Sequence, residues 1–348
     1  MTPTPNTRLP ALPAQPDDRL ALAGQLANRA AAADVFAEHL RHKSPETRKA
    51  YAAAVGLFSD ALAEIGVERS AERFLSDPTA WQGVTWAMVK GYRDWLLAKG
   101  YAISSVNQRL SILRKMADLA AQAEAIPDEE RLKIRSVTGY TRKDGRRADE
   151  QRETTRLSEQ KAASNFLGKS QIRALLDALP ETPQGRRDRL LLTMFSYLGL
   201  RVSELVHLSI SDFDLVAGIV HIYRQKTDTE SQLAMPLALR QALRDYLAVR
   251  PVGVANGRLL VASLKSGELV ARPISKRGVQ ARVQQLGQEI LGLDNLSPHD
   301  LRHTLAETFA AQGVSEAAAM DVLGWQTSAM YHHYRNRTKV VNVPDVWA

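Results

Sequence analysis

The sequence predicts a mainly α-helical protein in two units, the second carrying a small antiparallel β-sheet. Three observations lead there. Apolar residues recur at helical spacing over most of the chain. One stretch near residues 218–236 instead has the β-branched and aromatic composition of a hairpin. And 348 residues exceed what one hydrophobic core ordinarily organises.

Residues 1–33 open Pro-rich, from Thr2 to Pro16, and run into Ala-rich sequence; a flexible segment with some helix is expected. The first folded unit is expected over 34–130. Ser44-Pro45-Glu46 reads as an N-cap followed by proline at the first helical position. Tyr51, Val55, Phe58, Leu62 and Ile65 then form one apolar helical stripe, which Gly66 ends. A second helix follows Thr85 with Val89, Tyr92 and Leu96 inward and stops near Gly100. A third starts at Ser104 or Ser105 and buries Val106, Leu110, Leu113 and Ala117. The outward sides hold Arg41, Lys43, Arg48, Lys49, Lys90, Arg93, Arg109, Arg114 and Lys115. Such residues often do no more than solvate a helix. Acidic residues are sparse on the same stretches, which favours a phosphate-contacting face.

Periodicity then fades and charge rises, so residues 131–165 are expected as a basic linker around Arg142-Lys143-Asp144-Gly145-Arg146-Arg147. Whether it follows a phosphate backbone or stays solvated is left open. The second unit is expected over 166–348. Ser170 caps a helix with Ile172, Leu175, Leu176 and Leu179 apolar, and Pro180 ends it. Arg187 to Leu198 is a strongly apolar helix stopped by Gly199. Gly218 to Tyr223 has strand composition, with Gln232 to Pro236 returning beside it, and Leu259-Leu260-Val261 adds a further short strand. Pro236–Val249, Ser275–Leu291 and the stretch from Pro298 onward read as helices.

Composition narrows the function. With no cysteine, disulfides and thiolate-held metals are excluded, which fits a reducing cytoplasm. No apolar run is long enough to span a membrane, and the N-terminus lacks the basic cap and apolar segment of a secretory signal. Lys and Arg number 46 against 38 Asp and Glu, a net charge of +8. That surplus suits an anionic partner, or simply a basic soluble protein; its placement decides.

Four short segments concentrate chemistry: Leu198-Gly199-Leu200-Arg201-Val202-Ser203-Glu204-Leu205; Arg224-Gln225-Lys226-Thr227 in the hairpin; Leu296-Ser297-Pro298-His299-Asp300-Leu301-Arg302-His303-Thr304; and Leu323-Gly324-Trp325 running on to Tyr331-His332-His333-Tyr334. Each alone has a plain explanation. Arg201 can pair with Glu204 at a helix start, and His299 can cap or pack. His299 and His303 are four apart, yet the residue after His299 is Asp300, not the glutamate of the zinc-protease pattern, and no third ligand is evident. No metal site is expected.

Together and in this order the four segments resemble the tyrosine recombinase, or phage integrase, family. Its pattern is Gly-Leu-Arg-x-x-Glu-Leu, a hairpin lysine, His-x-x-Arg-His, then Leu-Gly-His/Trp with tyrosine nine positions later. Nine from Trp325 is Tyr334, which this spacing favours over Tyr331. Ser44-x-x-Thr47-x-x-x-Tyr51 and Asn107-Gln108-Arg109-Leu110-Ser111-x-Leu113-Arg114 resemble the family's amino-terminal core-binding domain.

The resemblance implies Tyr334 as the nucleophile on a DNA phosphodiester, keeping the bond as a covalent ester. Arg201 and Arg302 would hold the phosphate's non-bridging oxygens in forked geometry. His299 would assist proton transfer, and Lys226 would protonate the departing 5′ oxygen. Trp325, where many relatives have histidine, can donate its indole N–H or pack on the tyrosine segment. Glu204 is assigned to orienting Arg201, with His303 in support. No cofactor is required, since the arginines supply the positive charge. The implied partner is double-stranded DNA, bound by a homo-tetramer on two sites that forms from a free monomer or weak oligomer, with no membrane. Strands would be exchanged through a Holliday junction, in the cytoplasm on the nucleoid. The tail after Tyr334 either docks on a neighbour or folds on its own domain. A type IB topoisomerase-like or hairpin-forming resolvase shares the same chemistry, and a non-catalytic DNA-binding protein is a third reading.

Overall fold

A computed structural model describes residues 16–141, 143–145, 147, 165–225 and 227–338. The chain divides into two compact units, Met1–Lys161 and Ala162–Ala348. Among the described residues no helix is long and apolar enough to cross a membrane.

Among its described residues the first unit is all-helical: α1 (Pro16–Arg41), α2 (Pro45–Ala63), α3 (Ala71–Ser76), a 3₁₀ turn (Pro78–Trp81), α4 (Trp86–Ala98), α5 (Ile103–Gln122) and α6 (Asp128–Ser136). Ser44 caps α2, its hydroxyl accepting from the Thr47 amide at 3.2 Å. Aromatic rings knit the core: Phe58 stacks on Trp81 and meets Phe74 and Tyr92, with centroids 5.4–6.0 Å apart. The polar tips of these rings find carbonyls, Trp81 Nε1 on Phe74 O at 2.9 Å and Tyr92 Oη on Ala54 O at 2.8 Å.

Helix α1 runs unbroken from Pro16 and buries Phe36 completely, and the Pro-rich residues 2–15 lie outside the described residues. Two expectations change in this unit. Ile65 points outward, 66% exposed, because α2 stops at Ala63 and the chain turns at Gly66 with φ +81° before the stripe can continue. And α6 occupies 128–136, where a linker was expected from 131. Its apolar content is low, but it starts with three acidic residues, ends with Lys133 and Arg135, and buries Ile134.

Beyond α6 the chain is latched to α4 and α5. The Asn107 side chain donates to Tyr140 O at 2.8 Å and accepts from Tyr140 N at 2.9 Å. Tyr140 Oη donates to Asp94 at 2.5 Å, and the Arg93 guanidinium lies 4.7 Å over the Tyr140 ring. A Cβ on Gly139 would press on the Asn107 amide and push it off Tyr140.

The second unit begins with α7 (Lys169–Asp177) and α8 (Pro183–Leu198), followed by the short α9 (Val202–Leu205). A three-stranded antiparallel sheet follows, β1 (Phe213–Asp214), β2 (Ile219–Arg224) and β3 (Thr229–Ala234), in order β1-β2-β3. Then come α10 (Leu237–Leu247), a separate hairpin of β4 (Val261–Ser263) and β5 (Leu269–Pro273), α11 (Lys276–Leu291), α12 (Pro298–Ala311), α13 (Glu316–Leu323) and α14 (Ser328–Thr338). The class is thus mainly α with small antiparallel sheets, two where one was expected. Of the expected strand Leu259–Val261 only Val261 lies within β4; Leu259 and Leu260 are buried core. Gly168, not Ser170, precedes α7, and Thr182 caps α8 four residues earlier than the apolar run suggested. Leu190, Leu191, Phe195, Val220, Ile222, Leu243, Tyr246 and Val283 fill the core. Within it Asp188, fully buried, is neutralised by Arg187 at 2.6 Å and Arg282 at 2.7 Å.

Candidate active site

Two left-handed helix ends build the site. Helix α8 stops at Gly199 (φ +54°) and α13 at Gly324 (φ +58°), a backbone that glycine adopts without Cβ strain. Space demands glycine as well. A Cβ on Gly199 would lie 2.5 Å from Leu323 Cδ2, and one on Gly324 would land on the guanidinium of Arg224. The two turns are therefore pressed together, and arginines fill the space between them.

The carbonyls at the end of α13 lack helical partners and carry the negative end of its dipole. Guanidiniums take all of them. Arg224 donates to Val322 O at 2.8 Å and Asp321 O at 3.3 Å. Arg302, on α12, donates to Leu323 O and, across the gap, to Gly199 O. Arg201, at the start of α9, reaches Gly324 O at 3.5 Å. Glu204 joins two of them: it accepts from Arg201 Nη1 at 2.6 Å and from the Arg201 amide at 2.8 Å, and lies 3.4 Å from Arg224 Nη1. Glu204, Arg224 and Arg302 are buried, whereas the Arg201 side chain is 27% exposed. Three positive charges thus face one carboxylate. Burial, then the nearby Arg201 and Arg224, push the Arg302 guanidinium down to about 10. Burial likewise lowers Arg224, with Glu204 opposing.

Tyr334 on α14 is 3% exposed. Its hydroxyl is hydrogen-bonded to His303 Nδ1, and its ring stacks on Trp325, centroids 5.4 Å apart and planes within 5°. His299 is exposed and meets His303 edge-on at 4.1 Å. His303 therefore touches the phenol. Helix α12 explains the order: residues four apart share a face, so both imidazoles lie along one line with His303 nearer α14. Tyr331 faces elsewhere, its hydroxyl donating to Val314 O at 2.7 Å.

Lys226 lies outside the described residues. Its flanks are held: Thr227 N donates to Arg224 O at 3.0 Å, and Gln326, next to Trp325, reaches Thr227 O at 3.4 Å. Arg224 is the residue that sequence reasoning passed over. The signal was present, because Val220 and Ile222 point inward on β2, and period two puts Arg224 on that same buried face.

The basic residues of the first unit divide. Lys90 and Arg93 both pair with Asp94, at 3.3 and 2.7 Å, so an acidic partner is present where few were expected. Arg109 lies 4.5 Å over the Tyr101 ring, and the Arg114 Nε is buried without a partner. Lys43 and Lys115 both sit close enough to His39 to disfavour its protonation, beside the larger effect of burial. Arg41, Arg48 and Lys49 are exposed.

The phage integrase family model matches residues 165–340. Among curated relatives, the tyrosine recombinase XerC of Staphylococcus aureus (strain bovine RF122 / ET3-1) is 29% identical over 183 residues, 51% of this chain and 59% of the relative. The XerC of Corynebacterium glutamicum is 25% identical over 261 residues, 72% of this chain and 82% of the relative. That of Azotobacter vinelandii is 35% identical over 152 residues, 42% and 48%. The chain thus spans 59% and 48% of the Staphylococcus and Azotobacter relatives it matches. Among solved structures, the Tn1549 transposon integrase in complex with circular intermediate DNA shares the fold at TM-score 0.57 and 16% identity, over 87% of this chain and 94% of that one. A lambda integrase dimer bound to a COC′ core site does so at 0.57 and 17%, over 88% and 94%. The family match takes in the arginine platform, both histidines and the stacked tyrosine, and this chain belongs to the phage integrase family.

Proposed function

We propose that the chain is a site-specific DNA recombinase that cleaves and rejoins strands through a 3′-phosphotyrosyl ester. One observation carries this reading: a tyrosine hydroxyl in contact with an imidazole, beside an arginine platform built on two helix ends.

In the first step Tyr334 Oη attacks phosphorus and its proton passes to His303 Nδ1, which accepts as the Nε2–H tautomer. Charge grows on the two non-bridging oxygens, and Arg201 and Arg302 stabilise it with N–H groups left over from their carbonyl bonds. Each guanidinium has five such donors, so the backbone contacts do not exhaust it. The P–O5′ bond breaks, its electron pair leaves on O5′, and Lys226 supplies the proton. His299, exposed beside His303, donates to a phosphate oxygen. Attack by an incoming 5′ hydroxyl reverses each transfer and releases Tyr334. Glu204 fixes Arg201 through two contacts and takes no part in the bond changes.

Family membership and the DNA-bound fold relatives support duplex DNA as partner, with four protomers exchanging strands on two sites through a Holliday junction. We place the protein in the cytoplasm, on the nucleoid. The exposed basic residues Arg41, Arg48 and Lys49, with Lys43 and Lys115, would contact phosphates from the helical domain spanning 34–130.

The test is to trap the protein on DNA in cells, denature it, and sequence the DNA that stays attached. Wild type should yield one recurrent sequence, and Tyr334→Phe none. Adduct in equal yield from Tyr334→Phe, or none from wild type, overturns the reading. Recurrent sites distinguish a recombinase from a relaxing enzyme, which would leave adducts scattered over sequence.

A further inference from the structure

Arg224 is a buried charge without a part in the chemistry just described. We infer that it is a positioning residue, one that ties the hairpin carrying the proton-donating lysine to the arginine platform. The inference rests on the assignment of Lys226 as the group that protonates O5′.

Four contacts hold Arg224, and they come from three elements. Its Nη2 is on the carbonyls of Val322 and Asp321 at the end of α13, its Nη1 is 3.4 Å from Glu204 on α9, and its Nε donates to Ser231 on β3 at 3.1 Å. The side chain is 1% exposed and lies against Gly324, where any Cβ would displace it. A β2–β3 hairpin attached to the core only by its apolar face would be free to tilt at its tip. Arg224 removes that freedom because it is the last residue of β2, directly opposite Thr229 in the ladder. Lys226 follows two positions later in the sequence.

The loop is braced on both sides. Tyr223 Oη donates to Asp228 at 2.6 Å, Thr227 and Thr229 hydroxyls are 2.8 Å apart, and Asp228 takes φ +51° to close the turn. From the site, Gln326 reaches Thr227 O. The hairpin is thus anchored at Arg224 by its guanidinium and at Thr227 by the residue after Trp325. A lysine at position 224 would supply the charge but only one point of attachment, whereas the guanidinium fork serves Glu204, two carbonyls and Ser231 together.

The reaction can be made independent of a proton donor. When sulfur replaces the bridging O5′ of the scissile phosphate, the P–S bond breaks and the electron pair leaves as a thiolate, a far weaker base than an alkoxide since thiols ionise at about pH 8.5, so departure does not need a proton donor. Adduct formation would be timed for wild type, Arg224→Met and Arg224→Lys on two nicked duplexes of the sequence recovered from the wild-type adduct, one with oxygen and one with sulfur at that position. On oxygen, Arg224→Met should slow adduct formation about 100-fold, the scale of a lost general acid, and Arg224→Lys should fall between. On sulfur both should come within a few-fold of wild type. An equal loss on both duplexes shows that Arg224 acts through Arg201 or the fold, and overturns the inference while wild-type adduct keeps the recombinase reading intact. If Arg224→Met does not fold, the oxygen-to-sulfur ratio of Arg224→Lys decides by the same criterion.

Discussion

Tyr334 and Tyr331 lie on one helix, yet their hydroxyls have different fates, and that difference makes separate predictions. Tyr331→Phe loses only the bond to Val314 O, so it should cost about 1 kcal/mol of stability and leave adduct formation intact. Tyr334→Phe keeps the ring on Trp325 and should fold normally, but yield no adduct on denaturing gels. The two histidines separate similarly. His303→Gln removes the group on the phenol, and the rate of adduct formation should drop about 100-fold or more. Its remaining activity should rise with pH as the phenol ionises unaided, whereas His299→Gln should weaken phosphate contact without changing that profile. A flat pH profile in His303→Gln would assign the proton transfer elsewhere.

At the scale of elements, the end of α13 gathers what the chain keeps far apart, residues 201, 224 and 302. Lowering Arg302 to about 10, well below the usual guanidinium range, corresponds to roughly 3 kcal/mol held against the charged folded form at every pH below that value. An anion seated on the platform would relieve part of it. Inorganic phosphate should therefore raise the Tm of wild type, by about 2–4 °C per kcal/mol gained, and do so less in Arg201→Ala. Equal shifts in both proteins would place the anion elsewhere. The latch beyond α6 has its own test. Asn107→Ala leaves both backbone groups of Tyr140 without their partner and should cost about 1–2 kcal/mol in thermal unfolding. Much of this was legible in the sequence. Ser44 announced α2, Gly199 announced the end of α8, and the spacing from Trp325 singled out Tyr334. Helix α6 was hidden because acidic and basic ends, with one buried isoleucine, leave no apolar stripe to read. Arg224 was hidden for the opposite reason, since a charge on an inward strand position looks like an error until its partners, 20 and 98 residues away, are in place.

For the whole molecule, charge governs the encounter and burial governs the reaction. A net charge of +8 predicts duplex binding that weakens steeply with salt. Removing one phosphate-contacting side chain, Lys49→Ala or Arg48→Ala, should lower the slope of log affinity against log salt by about 1. Lys90→Ala should change it less, because that ammonium is already matched by Asp94. An unchanged slope in all three would remove the helical unit's outer faces from the interface. The stacked, nearly inaccessible phenol has a further consequence. Sheathed between an indole and an imidazole, it is out of reach of stray electrophiles and of nitrating or iodinating reagents.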